Sequence, residues 1–543
     1  MNIVPEALRA GSILAEDYAR GTVKAMELYT YDIRQTDTYA LRAKRLDATT
    51  ELRMNREEVV RCLELYNTRH NAHEAVKASL DRLKRPETLV IVGGQQSGLL
   101  SGQLLVIYKA ITIIKAAKEA EAKLGRPVVP VFWIAGEDHD WDEVNQTYVM
   151  SGTSSPLKLA LSAQPSGRSQ VSEVEIASEE WAQLLRDLEQ NLPDSEHKGQ
   201  LLENLQGLLY ASATLSEAFA KILGMLFGPY GLILLDSADP ELRRLEQTMF
   251  ERIIQKNEAL NQAYQQAEQQ VIERGYSPQA DVVDGGVNLF YIHEGERLLL
   301  FRQRDQFMDR RGQVVFSQEE LLQQLRLHPE RFSNNVLTRP LMQDYLLPVL
   351  GTVLGNGEIS YWALTRRAFE VMGMEMPPLL PRMSYTLVEP VVHKHMTRYD
   401  VTFGDVLYGL DQKKQQWLSA QDDYGMEEEF GRVRSQFREL YEPLLERATT
   451  IEKGLARVGA TNQSKIEEQL SYLESKVKEA LERKHETALN QWNLMGASLF
   501  PLERPQERVY NILLYMNRYG NQLLEQLMDI ELDWEHLHRV VYL

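Results

Sequence analysis

A chain of 543 residues with a formal net charge of −18 is too long for one ordinary core, so about two to four domains are expected. The acidic balance argues against a protein that coats nucleic acid, because phosphate contacts need clustered cations. Apolar content of 43% and charged content of 25% suit a globular protein; no apolar run reaches the roughly 18 residues of a membrane span.

The start, Met1-Asn2-Ile3-Val4-Pro5-Glu6, has no basic region followed by an apolar block, so no signal peptide is expected. Cys62 is the single cysteine. It excludes internal disulfides and thiolate zinc clusters, and a reduced cytoplasm is the simplest setting. Residues 1–87 read as helices, with apolar spacing near 3.6 over Asn55–Arg69 and Ala72–Leu83 and a stop at Arg85-Pro86. Cys62 falls in that pattern and reads as a small buried residue. His70 and His73 lack an accompanying carboxylate motif and are not assigned to a metal.

The apolar run Leu89–Val92 reads as a buried strand, followed by Gly93, Gly94, Gly98 and Gly102. A helical pattern over Gln103–Lys123 stops at Gly125-Arg126-Pro127, and Val128–Ala135 reads as a second strand. Strand, glycine turn, helix and strand make a βαβ unit with a local parallel sheet. Ligands of open parallel sheets bind beyond the carboxyl ends of the strands. Those ends are the loops Gly93–Gly98 and Gly136–Glu143.

Strands are expected at 145–151 and 157–162, and helices at Ser178–Asn191, Gln200–Leu226 and Glu241–Arg274. Gly231–Asp236 reads as another buried strand, with Asp236 at its carboxyl end and Asp239 as N-cap before Pro240. Residues 275–317 read as a small β insertion with a hairpin about Glu294-Gly295-Glu296, followed by a helix at Ser317–Leu327. Leu347–Gly357 leads into a helix from Glu358 to Met372, and Gly355-Asn356-Gly357 is a candidate anion site. Met374–Arg382 reads as a linker or rigid edge. Val433, Phe437, Leu440, Leu444, Ala448, Ile451, Leu455 and Val458 recur at steps of three and four. Gly459–Gln463 then reads as a break, Ser464 and Glu467 as a capping box, and Ile466–Ala480 as a second helix. Together they predict an antiparallel coiled-coil arm suited to dimerisation.

Glu137, Asp138, His139 and Asp140 offer acid–base or cation chemistry, without a standard metal spacing. Gln95 and Gln96 suit amides and hydroxyls. Lys109 lies inside an apolar helix and either reaches the site or snorkels. Arg339, Arg366, Arg367 and Arg382 suit an anionic substrate. There is no nucleophile elbow, HExxH, P-loop or full dinucleotide fingerprint.

Several long motifs resemble one family: Gly93-Gly94-Gln95-Gln96-Ser97-Gly98-Leu99, Trp133–Asp140, Arg339-Pro340-Leu341-Met342-Gln343-Asp344-Tyr345, Gly357-Glu358-Ile359-Ser360-Tyr361-Trp362 and Gln506-Glu507-Arg508-Val509-Tyr510-Asn511. The chain is similar along its length to the bacillithiol-biosynthesis cysteine-adding enzymes, the BshC family. It departs locally at Gln103, where a proline is expected. The resemblance implies an α/β fold: a Rossmann-like parallel-sheet core of the nucleotidyltransferase and class I synthetase type, connecting-peptide insertions and an α-helical coiled-coil domain. The organisation expected is a helical segment (1–87), the core (88–388, insertions near 155–230 and 275–330), the arm (389–497) and a helical return (498–543).

The implied reaction is a ligation of L-cysteine to glucosaminyl-malate, activated by ATP (or ADP as the bound nucleotide) with Mg2+ as a possible helper. Signatures of the synthetase relatives are missing. The implied catalytic residues are Asp138, His139 and Asp140. The implied substrate site is Gly94, Gln95, Gln96, Gly98, Lys109, Glu137, Asn145, Arg339, Gln343, Asp344, Gly357, Glu358, Tyr361, Trp362 and Arg382. Arg508, Tyr510 and Asn511 are the implied nucleotide contacts. The partners expected are small molecules and a second copy of the chain, without nucleic acid or membrane. The alternatives are a nucleotide-binding ligase or nucleotidyltransferase acting on another small anionic substrate and a non-catalytic metabolite-binding coiled-coil scaffold.

Overall fold

The computed structural model describes all residues except 7, 9, 10, 153, 154, 166, 423, 424, 536 and 537. By contacts the chain divides into one unit of Met1–Leu387 with Arg504–Tyr542 and a second of Val388–Glu503 with Leu543.

The first unit is built on a five-stranded sheet. We label its strands β1 (Leu89–Gln95), β2 (Val128–Ile134), β3 (Ile233–Asp236), β4 (Val349–Leu354) and β5 (Leu379–Pro381). Their order is β5-β4-β1-β2-β3, and every pairing is parallel. All of β2 and all of β4 are buried, as expected of strands covered on both faces. The chain runs outward from β1 through β2 to β3, then returns to the other side of β1 as β4. The topological switch point therefore lies between β1 and β4. Helix Leu104–Leu124 connects β1 to β2 and ends on Gly125 in the left-handed conformation; Gln103 is its N-cap. The stretch expected as a linker or rigid edge supplies β5, the sheet's edge strand.

Two helices expected as single runs are each divided. Residues 200–226 form Lys198–Tyr210 and Leu215–Phe227, with Thr214 capping the second through Glu217 N–H. Residues 241–274 form Pro240–Gln255 and Asn257–Glu273, with Lys256 between them. Likewise, the helix expected to run to Met372 is divided into Asn356–Trp362 and Arg366–Val371. Hydrophobic periodicity survives a one-turn break, so spacing alone hides such joints. The β insertion holds four strands at 286–293, 296–303, 306–309 and 315–317, and Phe332–Asn334 joins them as a fifth. The C-terminal return, expected to be helical, also ends in a strand: His538–Tyr542 pairs antiparallel with Asn2–Pro5.

The N-terminal helices are tied to the sheet by buried charge. Arg42, fully buried, donates to Val349 O at 3.0 Å, Glu375 O at 2.8 Å and Asp344 Oδ1 at 2.6 Å. Arg53 donates to Asp344 Oδ2 at 2.9 Å. Both oxygens of Asp344 are thus held by arginines, which corrects its expected substrate role. Cys62 is buried, which pushes its thiol up to about 12. His73 Nδ1 caps helix Glu74–Leu83, and the ring of His70 packs on Tyr66.

In the second unit, helices Met426–Ile451 and Leu455–Lys484 form the antiparallel arm. The turn is at 452–454 rather than at Gly459–Gln463, and Ser464 and Glu467 lie within the second helix. Glu467 pairs with Arg438 across the arm at 2.8 Å instead of closing a capping box. Gly459 permits close packing, since a Cβ there would overlap the Leu445 side chain. The seam therefore runs through Phe437, Tyr441 and Leu445, with Tyr441 OH donating to Asn462 at 2.7 Å. Val433, Leu440, Leu444, Ile451 and Val458 are exposed, which corrects their expected place in that seam.

Removing one partner of a buried ion pair leaves an uncompensated charge and costs about 3–5 kcal/mol. Asp344→Ala is therefore expected to lower unfolding stability by about that amount in urea titrations. A variant of wild-type stability with a raised KM would instead make Asp344 a substrate ligand.

Candidate active site

The carboxyl ends of the five parallel strands bring together most of the expected polar residues. The centre is Lys109, 1% exposed on helix Leu104–Leu124. Its Nζ donates to Gly94 O at 2.6 Å, Gln95 Oε1 at 2.9 Å and Glu358 Oε2 at 2.5 Å. Lys109 thus reaches the site and bridges the β1 and β4 sides of the switch point. Burial lowers its pKa, while the neighbouring Glu358 carboxylate opposes that shift.

Glu358 Oε2 also accepts from Gly355 N–H at 2.7 Å, closing the start of helix Asn356–Trp362. The helix start expected to hold an anion already holds this carboxylate, so Gly357 is corrected from ligand to first-turn residue. Tyr361 faces inward from the same helix and accepts from Arg339 at 2.7 Å. Trp362 belongs to the core, 2% exposed and packed against Phe369; it is not a ligand.

Arg339 opens helix Arg339–Leu346. Burial pulls its pKa down, but Tyr361, Asp138, Glu358 and Glu137 together hold it above the usual range. Among the described residues no carboxylate lies within ion-pair distance of Arg339; its side-chain hydrogen-bond partner is the neutral Tyr361 hydroxyl. Arg382 differs: it grips both oxygens of Glu507 at 2.7 and 2.6 Å, so its expected anion-binding role is corrected to a structural clamp. Arg366 donates to Glu27 O at 2.8 Å and Arg367 to Gln270 Oε1 at 3.4 Å, and neither belongs to the site. Gln343 is buried on the Arg339 helix.

The acidic loop after β2 divides by burial. Glu137 is 2% exposed and paired with Arg243, which also binds Glu246 at 2.6 Å. It is a structural charge, which corrects its expected ligand role. Asp138 and His139 are half-buried, and Asp140 is exposed. Gln96 lies beside the Glu143 carboxylate, whose pKa is raised chiefly by burial. Asn145 is buried, its carbonyl accepting from Leu161 N–H at 2.9 Å.

Gly94 and Gly98 serve packing. A Cβ at 94 would overlap the Trp133 carbonyl, and one at 98 would meet Gly102 Cα at 2.6 Å. Leu100 and Ser101 then adopt φ of 54° and 75°. Asn511 Nδ2 holds this turn, donating to Leu100 O and Gly102 O at 2.7 Å each. Tyr510 is fully buried, and its carbonyl accepts from Leu104 N–H at 2.9 Å. Tyr510 and Asn511 are therefore committed to the fold, which corrects their nucleotide assignment; Arg508 is exposed. Among the described residues no group of three or more His, Cys, Asp and Glu side chains is arranged to hold a metal.

Sequence reasoning missed Arg297. It sits on the β insertion, 3% exposed, with NH1 3.5 Å from Asp138 Oδ1 and 3.4 Å from His139 Nδ1. An arginine beginning an alternating strand looks like any surface residue, so nothing local singles it out.

A parallel sheet in this order, with buried cations and carboxylates at its switch point, defines a Rossmann-like α/β protein with a polar ligand site. The chain belongs to the BshC family: the model for the bacillithiol biosynthesis BshC N-terminal Rossmann-like domain matches residues 1–383, and that for the C-terminal coiled-coil domain matches 385–543. Relatives carrying the name "Putative cysteine ligase BshC" include those of Geobacillus sp. (strain WCH70), 36% identical over 100% of both chains, and Bacillus cytotoxicus, 35% identical over 97% of both. The Bacillus cereus (strain G9842) relative is 34% identical over 97% of both. Among the described residues no helix is long and apolar enough to cross a membrane.

Asp236, at the end of β3, is pushed up to about 7, chiefly by burial. Gly136 leaves room for it, since a Cβ there would come within 2.6 Å of Asp236 Oδ2. Because the folded pKa exceeds the ordinary 3.8, the native state holds the extra proton between those values, and stability falls as pH rises through that window. The full loss is up to about 4 kcal/mol. Asp236→Asn is expected to be progressively more stable than wild type from pH 5 to pH 7.5 in urea titrations. A constant difference would refute the shift.

Proposed function

We propose that the chain is a cysteine ligase that joins the carboxyl group of L-cysteine to the amine of glucosaminyl-malate, yielding bacillithiol. Membership of the BshC family supports the reaction, and Arg339 is the observation that carries the substrate class. A half-buried guanidinium beside the switch point, facing a neutral tyrosine, is suited to a substrate carboxylate such as those of malate. Gln95 and Gln96 suit the sugar hydroxyls. Asp138, half-buried and 3.5 Å from Arg297 NH1, takes the proton released as the amine attacks the carboxyl carbon.

Making an amide from a free carboxylate is uphill in water, so cysteine is activated first, by ATP with Mg2+ in this reading. The cytoplasm is the proposed setting, consistent with the single buried thiol. The test is incubation of pure protein with cysteine, glucosaminyl-malate, ATP and magnesium, followed by mass spectrometry of the thiol. Product is expected only with ATP; AMP would indicate an adenylate and ADP an acyl phosphate. Asp138→Asn is expected to lower kcat by about 10²–10⁴. Arg339→Met is expected to raise KM for glucosaminyl-malate by about 10–100-fold, from loss of a charge-assisted hydrogen bond. Unchanged constants in either variant would remove that residue from the mechanism.

The exposed apolar stripe of the arm supports a homodimer. Leu440, Leu444, Ile451 and Val458 are 78%, 61%, 84% and 62% exposed, and no residue of helix Leu455–Lys484 is buried. A second copy would cover them as a coiled coil. Leu440→Glu with Ile451→Glu is expected to convert a dimer to a monomer in analytical ultracentrifugation. A monomeric wild-type protein would reject the dimer.

A further inference from the structure

The Arg297 guanidinium is held on three sides. Nε donates to Ser333 Oγ at 2.9 Å, NH2 donates to Asn334 O at 2.6 Å, and the group lies 3.9 Å from the centroid of the Phe290 ring. It cannot swing away, and NH1 is left facing the acidic loop. Its neighbours there are His139 Nδ1 at 3.4 Å and Asp138 Oδ1 at 3.5 Å. A guanidinium has no lone pair to offer. The nitrogen of His139 that faces it must therefore be the accepting one.

His139 Nε2 lies 4.0 Å from Asp140 Oδ1, beyond hydrogen-bond distance, on the side of the ring away from the guanidinium. A neutral imidazole carries one proton, and the hydrogen bond made by one nitrogen decides where it sits. Here the Arg297 donor stands at Nδ1, so the proton of the neutral ring sits on Nε2. The charged groups around the ring are Arg297 from the insertion, Arg168 from the loop after the strand Pro156–Ala160, and Asp138 and Asp140 from its own loop; the Phe290 ring meets it at 6.0 Å. Burial first, and then Arg297, lower the ring's pKa, with Asp138 and Asp140 opposing.

We infer that Arg297 is a positioning residue that locks His139 as the neutral Nε2–H tautomer, so that His139 donates a hydrogen bond to the reacting carboxyl oxygen and is not the base. The donated bond stabilises the oxygen as negative charge develops during attack. The proton of the amine passes to Asp138, and His139 keeps its own. The substrate half of this inference rests on the ligase reading; the tautomer is a property of the resting protein.

The test is two-bond 1H–15N correlation of histidine-labelled protein from pH 6 to 8, with His139→Gln identifying the signals. Wild type is expected to show Nε2 protonated and Nδ1 bare throughout. In Arg297→Met the ring is expected to lose that preference and titrate nearer the ordinary midpoint of about 6.5. Protonated Nδ1 or an imidazolium at pH 7 in wild type would overturn the inference, whatever the variant does. So would identical spectra for wild type and a folded Arg297→Met. In turnover, His139→Ala is expected to lose about 10²–10³-fold, and His139→Gln, which retains an N–H donor, roughly tenfold less than that. Equal loss in both would restore His139 as the base. Absence of wild-type turnover would refute the ligase reading alone, because the spectra still decide the tautomer.

Discussion

A buried ammonium at the switch point organises the first unit. Lys109 is carried on a helix whose other buried residues are mostly apolar, and a charge in such a place must be met by partners. Three acceptors meet it: Gly94 O, Gln95 Oε1 and Glu358 Oε2. They come from the end of β1 and from the helix that follows β4. The two halves of the sheet are thereby joined at the point where their connections diverge, which is where an open parallel sheet binds its ligand. The same carboxylate closes the helix that presents Tyr361.

Segments distant in sequence hold this centre in place. Asn511 satisfies the carbonyls of a left-handed turn more than 400 residues earlier. Arg42 and Arg53 lock Asp344 on the helix that begins with Arg339. Arg382 and Glu507 form another such clamp. Most of the charged side chains gathered here are therefore paired with one another, and Arg339 stands out because its partner is a neutral hydroxyl.

The core strands, the connecting helix and the acidic loop were legible because buried parallel strands and glycine turns leave strong local patterns. Lys109 was suspect from its place in an apolar run, and the structure takes it to the site. The β-insertion hairpin was equally readable, but not that its Arg297 returns to touch the loop after β2. In the arm, helical spacing was visible while its turn was misplaced. Gly459 and the Ser464–Glu467 pair imitate a helix boundary, and only the facing Leu445 and Arg438 give them another use.

From its sequence alone, the protein's α/β class, the strands that meet in parallel and the loops that carry its chemistry could be derived, because each depends on the periodicity and turn preferences of neighbouring residues. The resemblance of long motifs added the family. Which polar residues remain available to a substrate was decided by tertiary structure alone. Asp344, Glu137, Arg382 and Asn511 carry the same chemistry in sequence as Arg339 and Asp138. What separates them is whether a distant residue already satisfies the group, and pairing between distant residues leaves no local trace.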